Sequence, residues 1–117
     1  KLVLFMQSRC RYCQQFDPLL KRVTAQMGLD VFPYTLDGMG DASFPDAIPA
    51  TEAVIRDMWS NMRPVTPAAF LVEVNTLKTL PLLYGIVDER TLRQRIDEGL
   101  GFAVSAKGKH EIMKKQK

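Results

Sequence analysis

The stretch Lys1-Leu2-Val3-Leu4-Phe5-Met6-Gln7-Ser8-Arg9-Cys10-Arg11-Tyr12-Cys13 decides how this chain is read. Its first six residues form a short apolar run, as expected of a buried strand, and Gln7-Ser8-Arg9 supplies a turn. Beyond the cysteines, Phe16, Leu19, Leu20, Val23 and Met27 recur at three- and four-residue intervals until Gly28. That spacing predicts an amphipathic helix with a glycine stop. Cys10 therefore falls at a helix N-terminus, where unpaired N–H groups and the macrodipole favour a thiolate. Arg9 and Arg11 add positive charge on either side. Cys13 lies one turn deeper, on the face of Phe16 and Leu20, and is expected to be less exposed. The asymmetry suits an attacking and a resolving thiol, and the chain has no other cysteine.

Three other uses of the pair compete with this one. A structural zinc ion needs four ligands, and beyond Cys10 and Cys13 the only comparable donor is His110, in a lysine-rich tail. A Cys-His nucleophile depends on the same poorly anchored imidazole. A purely structural disulfide remains open, but a bridge closing so short a loop removes little entropy from the unfolded chain. Redox exchange through Cys10 and Cys13 is the favoured reading, with no metal and no cofactor expected.

At 117 residues, with 46% hydrophobic and 25% charged residues, the chain has the composition of one soluble globular domain. No apolar run is long enough to span a bilayer. The chain opens inside a strand, as a mature or trimmed fragment would. The formal charge of +3 is concentrated at one end. Five lysines and Glu111 give residues 101–117 a net +4, leaving residues 1–100 at −1. A solvated, flexible basic tail is expected there, and no basic stripe indicates nucleic-acid binding.

Outward from the motif, Val31 to Leu36 reads as a second strand, with Pro33 arguing for a sheet edge. The intervening helix makes the first two strands a parallel, right-handed crossover unit. A long loop is expected over residues 37–50. Its Gly38-Met39-Gly40 lacks the lysine and the immediate helix of a phosphate cradle and reads as a turn. Residues 51–62 form a second helix with Ile55, Met58, Trp59 and Met62 on one stripe, so Trp59 reads as core rather than as a binding anchor. Residues 69–74 and 79–84 form an antiparallel hairpin. A last helix runs over residues 88–98, with Asp88 as N-cap, Leu92 and Ile96 inward and Gly99 as its stop.

The order strand, helix, strand, helix, two antiparallel strands, helix, with C-x-x-C opening the first helix, resembles the thioredoxin fold. The expectation is an α/β domain over residues 1–100 with a four-stranded mixed sheet flanked by helices. Pro18, Val65-Thr66-Pro67 and Tyr84-Gly85 stand where that fold keeps a helix-kinking proline, a cis-proline and a glycine. The resemblance implies a cis bond at Pro67 that turns Thr66 toward Cys10, leaving the Thr66 backbone to pair with a substrate segment. Arg11 and Tyr12, between the cysteines, would tune the site.

Phe5 to Cys13, Leu36-Asp37-Gly38, Val65-Thr66-Pro67-Ala68 and Leu83-Tyr84-Gly85 are similar to the TrbB-type thiol-disulfide isomerases of F-type conjugative transfer systems. This resemblance implies a periplasmic protein, exported by a signal sequence absent here, that acts on disulfide-containing pilus-assembly proteins and is reset by a redox partner. Met39 and Phe44 of the long loop are candidates for contacting an unfolded chain. Leu4 stands where thioredoxins often bury an aspartate, leaving the proton acceptor of Cys13 unassigned. Arg9 replaces the tryptophan that often precedes the motif, and no dimerisation arm is expected. Net reductase or oxidase activity at the same site is the nearest alternative, and a non-catalytic scaffold of the conjugation apparatus is the other.

Overall fold

The structure is a computed structural model that describes residues 1–60, 62–76 and 78–101. Its centre is strand β1 (Leu2–Met6), all five residues buried. An apolar run without alternation is what a strand covered on both faces requires. Leu2, Leu4 and Met6 join a core with Cys13, Phe16, Leu20, Val23, Leu92 and Ile96, while Val3 and Phe5 join a second core with Trp59 and Phe70. Alternation along β1 thus supplies both faces of the sheet.

Helix α1 (Arg11–Gln26) follows, with Cys10 as its N-cap. It ends as the glycine predicts. Gly28 adopts φ +70°, Leu29 N–H donates to Thr24 O (2.9 Å) and Gly28 N–H donates to Ala25 O (3.3 Å), which closes the last turn. Strand β2 (Val31–Thr35) pairs parallel to β1, as the crossover rule requires.

The sheet has five strands rather than four. Strand β3 (Ile48–Pro49) lies inside the segment expected to be loop and pairs parallel with Tyr34 and Thr35. The order is β3-β2-β1-β4-β5, so β2 is not the edge that Pro33 implied. The proline is still accommodated. Leu36 N–H bonds β1 through Met6 O, and Thr35 O faces β3 through Ala50 N–H. Alternation then turns the ring nitrogen of Pro33 away from β1, at a register position β3 does not reach. A two-residue strand has too little pattern to be seen in sequence.

Helix α2 (Glu52–Trp59) is shorter than expected. Thr51 caps it, its side chain accepting from Val54 N–H at 3.2 Å. It stops at Ser60, whose φ is +53°, so Met62 lies outside the helix and is exposed. Trp59 is core: it is 2% exposed and makes edge contacts with Phe5 and Phe70. Strands β4 (Ala68–Val72) and β5 (Thr79–Tyr84) form the antiparallel hairpin, with a register shift at Ala69/Phe70.

The third helix, α3, occupies residues 89–101. Asp88 caps it through Thr91 N–H (2.8 Å), and Leu92 and Ile96 are buried. Gly99 does not stop it. A Cβ at Gly99 would lie 2.6 Å from Leu71 Cδ1 and 2.9 Å from Leu82 Cδ2, so this glycine lets the helix approach the sheet closely. Arg22–Glu89 and Arg93–Gln26 contacts join α3 to α1. Apart from Gly101, the expected basic tail lies outside the described residues, as does His110.

Candidate functional site

The site forms where β1 hands the chain to α1. Gln7 O accepts from Cys10 N–H (3.2 Å), and Gln14 Nε2 donates to Ser8 O (3.0 Å). Asp37, just after β2, binds this turn from the side. Its Oδ2 accepts from Ser8 Oγ (2.8 Å) and Arg9 N–H (3.1 Å), and its Oδ1 from Thr35 Oγ1 (2.8 Å) and Met39 N–H (3.3 Å). Desolvation pushes the Asp37 carboxyl up, but the bonds from Ser8, Thr35 and Arg9 outweigh it and hold the group well below the usual carboxylate range.

Cys10 has extended backbone (φ −81°, ψ 113°), and its Sγ accepts from Cys13 N–H at 3.0 Å. A sulfur is here doing what an N-cap serine oxygen does. The same bond stabilises negative charge on that sulfur. Cys10 is half-buried and Cys13 fully buried, with Cα atoms 5.1 Å apart and the two sulfurs joined as a disulfide. The expected asymmetry of access is therefore present.

The third component is the turn before β4, the antiparallel neighbour of β1. The Thr66-Pro67 peptide is cis, and Cys10 Sγ lies 3.7 Å from Thr66 O. Thr66 Oγ1 donates to Gln7 Oε1 (3.4 Å), and Pro67 O accepts from Gly85 N–H (2.7 Å). Gly85 holds φ +89°, a conformation that favours glycine. Arg11 and Tyr12 are exposed beside the sulfurs, Tyr12 at 58%. Cys10, Cys13, Arg11, Tyr12, Thr66 and Pro67 are thus brought to one place.

The long loop differs from its reading. Met39 is exposed, but Phe44 packs against the core below α1, and Lys21 Nζ sits 6.0 Å over its ring while donating to Ser43 O (3.0 Å). Phe44 is half-buried and anchors the loop on the core.

Two acidic residues escaped the sequence reading. Asp37 carried only a motif resemblance, and its bonds to Ser8 and Arg9 are tertiary. Asp17 is fully buried on α1, and burial followed by the neighbouring Asp41 carboxyl pushes it up to about 9. Its signal was present: a carboxylate four residues after Cys13, on the stripe of Phe16 and Leu20, falls on the inward face. Among the described residues, no group of three or more His, Cys, Asp or Glu side chains could hold a metal ion, and no helix is long and apolar enough to cross a membrane.

These features define an α/β domain with a disulfide-forming cysteine pair at a helix N-terminus, facing a cis X-Pro turn. The chain belongs to the family described as TraF, the F plasmid transfer operon protein, which it matches over residues 1–97. It is 48% identical over 108 residues to Protein TrbB of Escherichia coli (strain K12). That alignment covers 92% of this chain and 60% of the relative, so the chain spans about three-fifths of the length of the curated protein it matches. No solved structure matches it. The similarity to TrbB-type proteins expected from the motifs is borne out.

Proposed function

We propose that this chain is a thioredoxin-like protein thiol-disulfide oxidoreductase working as a disulfide isomerase. Its proposed setting is the periplasm, and its proposed substrates are disulfide-containing proteins of conjugative pilus assembly. The observation that carries the reading is the half-buried Cys10 sulfur, which accepts the Cys13 N–H at a helix N-terminus and faces the Thr66 carbonyl.

In the reduced protein the Cys10 thiolate attacks one sulfur of a substrate disulfide. A Cys10–substrate bond forms, the substrate bond breaks, and the second substrate sulfur leaves with the electron pair. If that thiolate attacks a different substrate disulfide, and a substrate thiolate finally displaces Cys10, the pairing is rearranged with no net oxidation. If Cys13 attacks Cys10 instead, the substrate is reduced and the Cys10–Cys13 disulfide forms, to be reset by a redox partner. Thr66 and Pro67 hold the substrate segment, and Arg11 and Tyr12 govern access to the sulfur.

The test is the Cys10–Cys13 reduction potential in glutathione buffers, run beside refolding of a scrambled multi-disulfide protein. Rescue of scrambled substrate with the pair largely reduced at the working poise supports isomerisation. A strongly reducing potential without rescue makes the protein a net reductase, and absence of any exchange overturns the redox reading.

A further inference from the structure

The buried face of α1 carries one residue that apolar packing does not explain. Asp17 is 0% exposed, and among the described residues neither of its carboxyl oxygens meets a donor. The group interacting with it is the Asp41 carboxyl, from the loop over residues 36–47. Asp41 Oδ1 accepts from Ser43 N–H (3.0 Å) and Phe44 N–H (2.8 Å), while its Oδ2 is also buried without a donor. Two carboxyls can hydrogen-bond to each other only if one of them keeps a proton. Ionising both in a dry site costs several kcal/mol, on the order of the penalty for burying any uncompensated charge. The pair therefore holds one proton between α1 and the loop.

The surrounding charges leave that proton in place. Lys21, on the next turn of α1, is engaged by Ser43 O and the Phe44 ring. Arg22 pairs with Glu89 of α3. On the sheet side, the β1 residues in the core shared with α1 are the apolar Leu2, Leu4 and Met6.

The location connects this proton to the cysteines. Asp17 follows Cys13 by four residues in the same helix, and both side chains are fully buried. Such positions have Cβ atoms about 5–6 Å apart. Helical side chains lean toward the N-terminus, which brings the Asp17 carboxyl back over the turn of Cys13. Transfer through one water spans a separation of that order. Burial and Asp41 push Asp17 up to about 9, so its carboxyl still holds a proton at neutral pH, where the Cys13 sulfur is released.

We infer that the Asp17–Asp41 carboxyl pair supplies and receives the proton of Cys13 during thiol-disulfide exchange, an inference that rests on the redox reading above. When an incoming thiolate attacks Cys10 Sγ, the bond to Cys13 breaks and its electron pair stays on the Cys13 sulfur. The Asp17 carboxyl protonates that sulfur, and the ionised pair regains a proton from solvent. In the closing direction the pair first releases its proton to solvent and then takes the proton of the Cys13 thiol. Its thiolate then attacks Cys10 Sγ of the mixed disulfide, and the substrate sulfur leaves with the electron pair.

The test follows opening of the Cys10–Cys13 bond by dithiothreitol, with acid quench and thiol alkylation, from about pH 6 to about pH 10, expressed per reductant thiolate. Asp17→Asn is expected to open about tenfold more slowly at neutral pH, less than full general acid catalysis because a thiolate leaves readily unaided. The difference is expected to fade as pH rises through about 9. Asp41→Asn keeps the donor but removes the facing charge, so its break is expected at lower pH. Asparagine reproduces the shape and neutrality of a protonated aspartate, so a purely structural role predicts no change. Equal rates for native protein and Asp17→Asn at every pH would overturn the inference while leaving the redox reading intact. Failure of the native disulfide to open at all would instead overturn the redox reading and this inference with it. Should Asp17→Asn not fold, infrared spectra of the native protein decide. A protonated-carboxyl band that shifts between the oxidised and reduced forms supports the inference, and its absence overturns it.

Discussion

Cys10 Sγ and Thr66 O lie 3.7 Å apart although 56 positions separate the two residues in sequence. The contact brings the end of β1 and the turn before β4 together, two strands that are antiparallel neighbours in the sheet. A peptide held along Thr66 would present its backbone beside the sulfur, the geometry in which strand-like pairing positions a substrate.

Access to the two sulfurs differs, so their substitutions should differ. Cys10→Ser is expected to abolish exchange, because buried Cys13 cannot replace it as attacker. Cys13→Ser is expected to accumulate Cys10–substrate mixed disulfides, since the intramolecular resolving thiol is gone. Mass spectrometry of the trapped adducts checks both, and adducts forming equally on Cys13 in Cys10→Ser would contradict the assignment.

Asp17 should make stability depend on pH in the direction opposite to an ordinary ion-paired aspartate. Its folded value is raised from 3.8 to about 9, so the folded chain binds the proton more tightly than the unfolded chain does. The stabilisation is complete below about pH 4 and is lost progressively as pH rises toward about 9. Asp17→Asn removes this loss. The variant is expected to be more stable than the native protein at pH 8 by on the order of 1–3 kcal/mol, and no more stable at pH 4. Denaturant melts at the two pH values measure it.

Asp37 carries the other sign. Its folded value is lowered, so the contribution of its bonds to Ser8 and Arg9 is present above about pH 4 and lost as acid protonates it. Asp37→Asn is expected to flatten the acid side of the stability profile and to slow attack by Cys10, since the turn carrying that N-cap loses its clamp. Acid titration by circular dichroism and the alkylation rate of reduced Cys10 test the two halves separately.

Gly40 seats the loop that brings Asp41 to α1. A Cβ there would collide with the backbone oxygen of Phe44 and come within 2.5 Å of that of Pro45. Because those atoms are backbone, the loop itself must move. Gly40→Ala is expected to cost about 1–3 kcal/mol and to lower the pH at which Asp17 titrates, as Asp41 moves away. Denaturant melts and infrared titration of the carboxyl report these effects.

Local pattern was enough for much of this protein. The apolar run of β1, the three- and four-residue spacing of α1, its glycine stop and the Cys10-x-x-Cys13 pair are each written within a few turns of chain, and local physics reads them directly. The limits of β5 and the Asp88 cap were legible for the same reason. Two-residue β3 carries no period, and Gly99 looks like a helix stop until the close approach of Leu71 and Leu82 explains it. Motif resemblance, rather than pattern, placed the cis peptide at Pro67.

What only the tertiary structure decided are relationships between segments whose separation no periodicity encodes. Asp37 clamps the Ser8-Arg9 turn because parallel pairing of β1 and β2 ends both strands side by side. Asp17 meets Asp41 because Phe44 packs its loop onto the core beneath α1. Sequence alone specified which groups can do chemistry. Packing determined which of them are dry, which share a proton, and which carbonyl faces the sulfur.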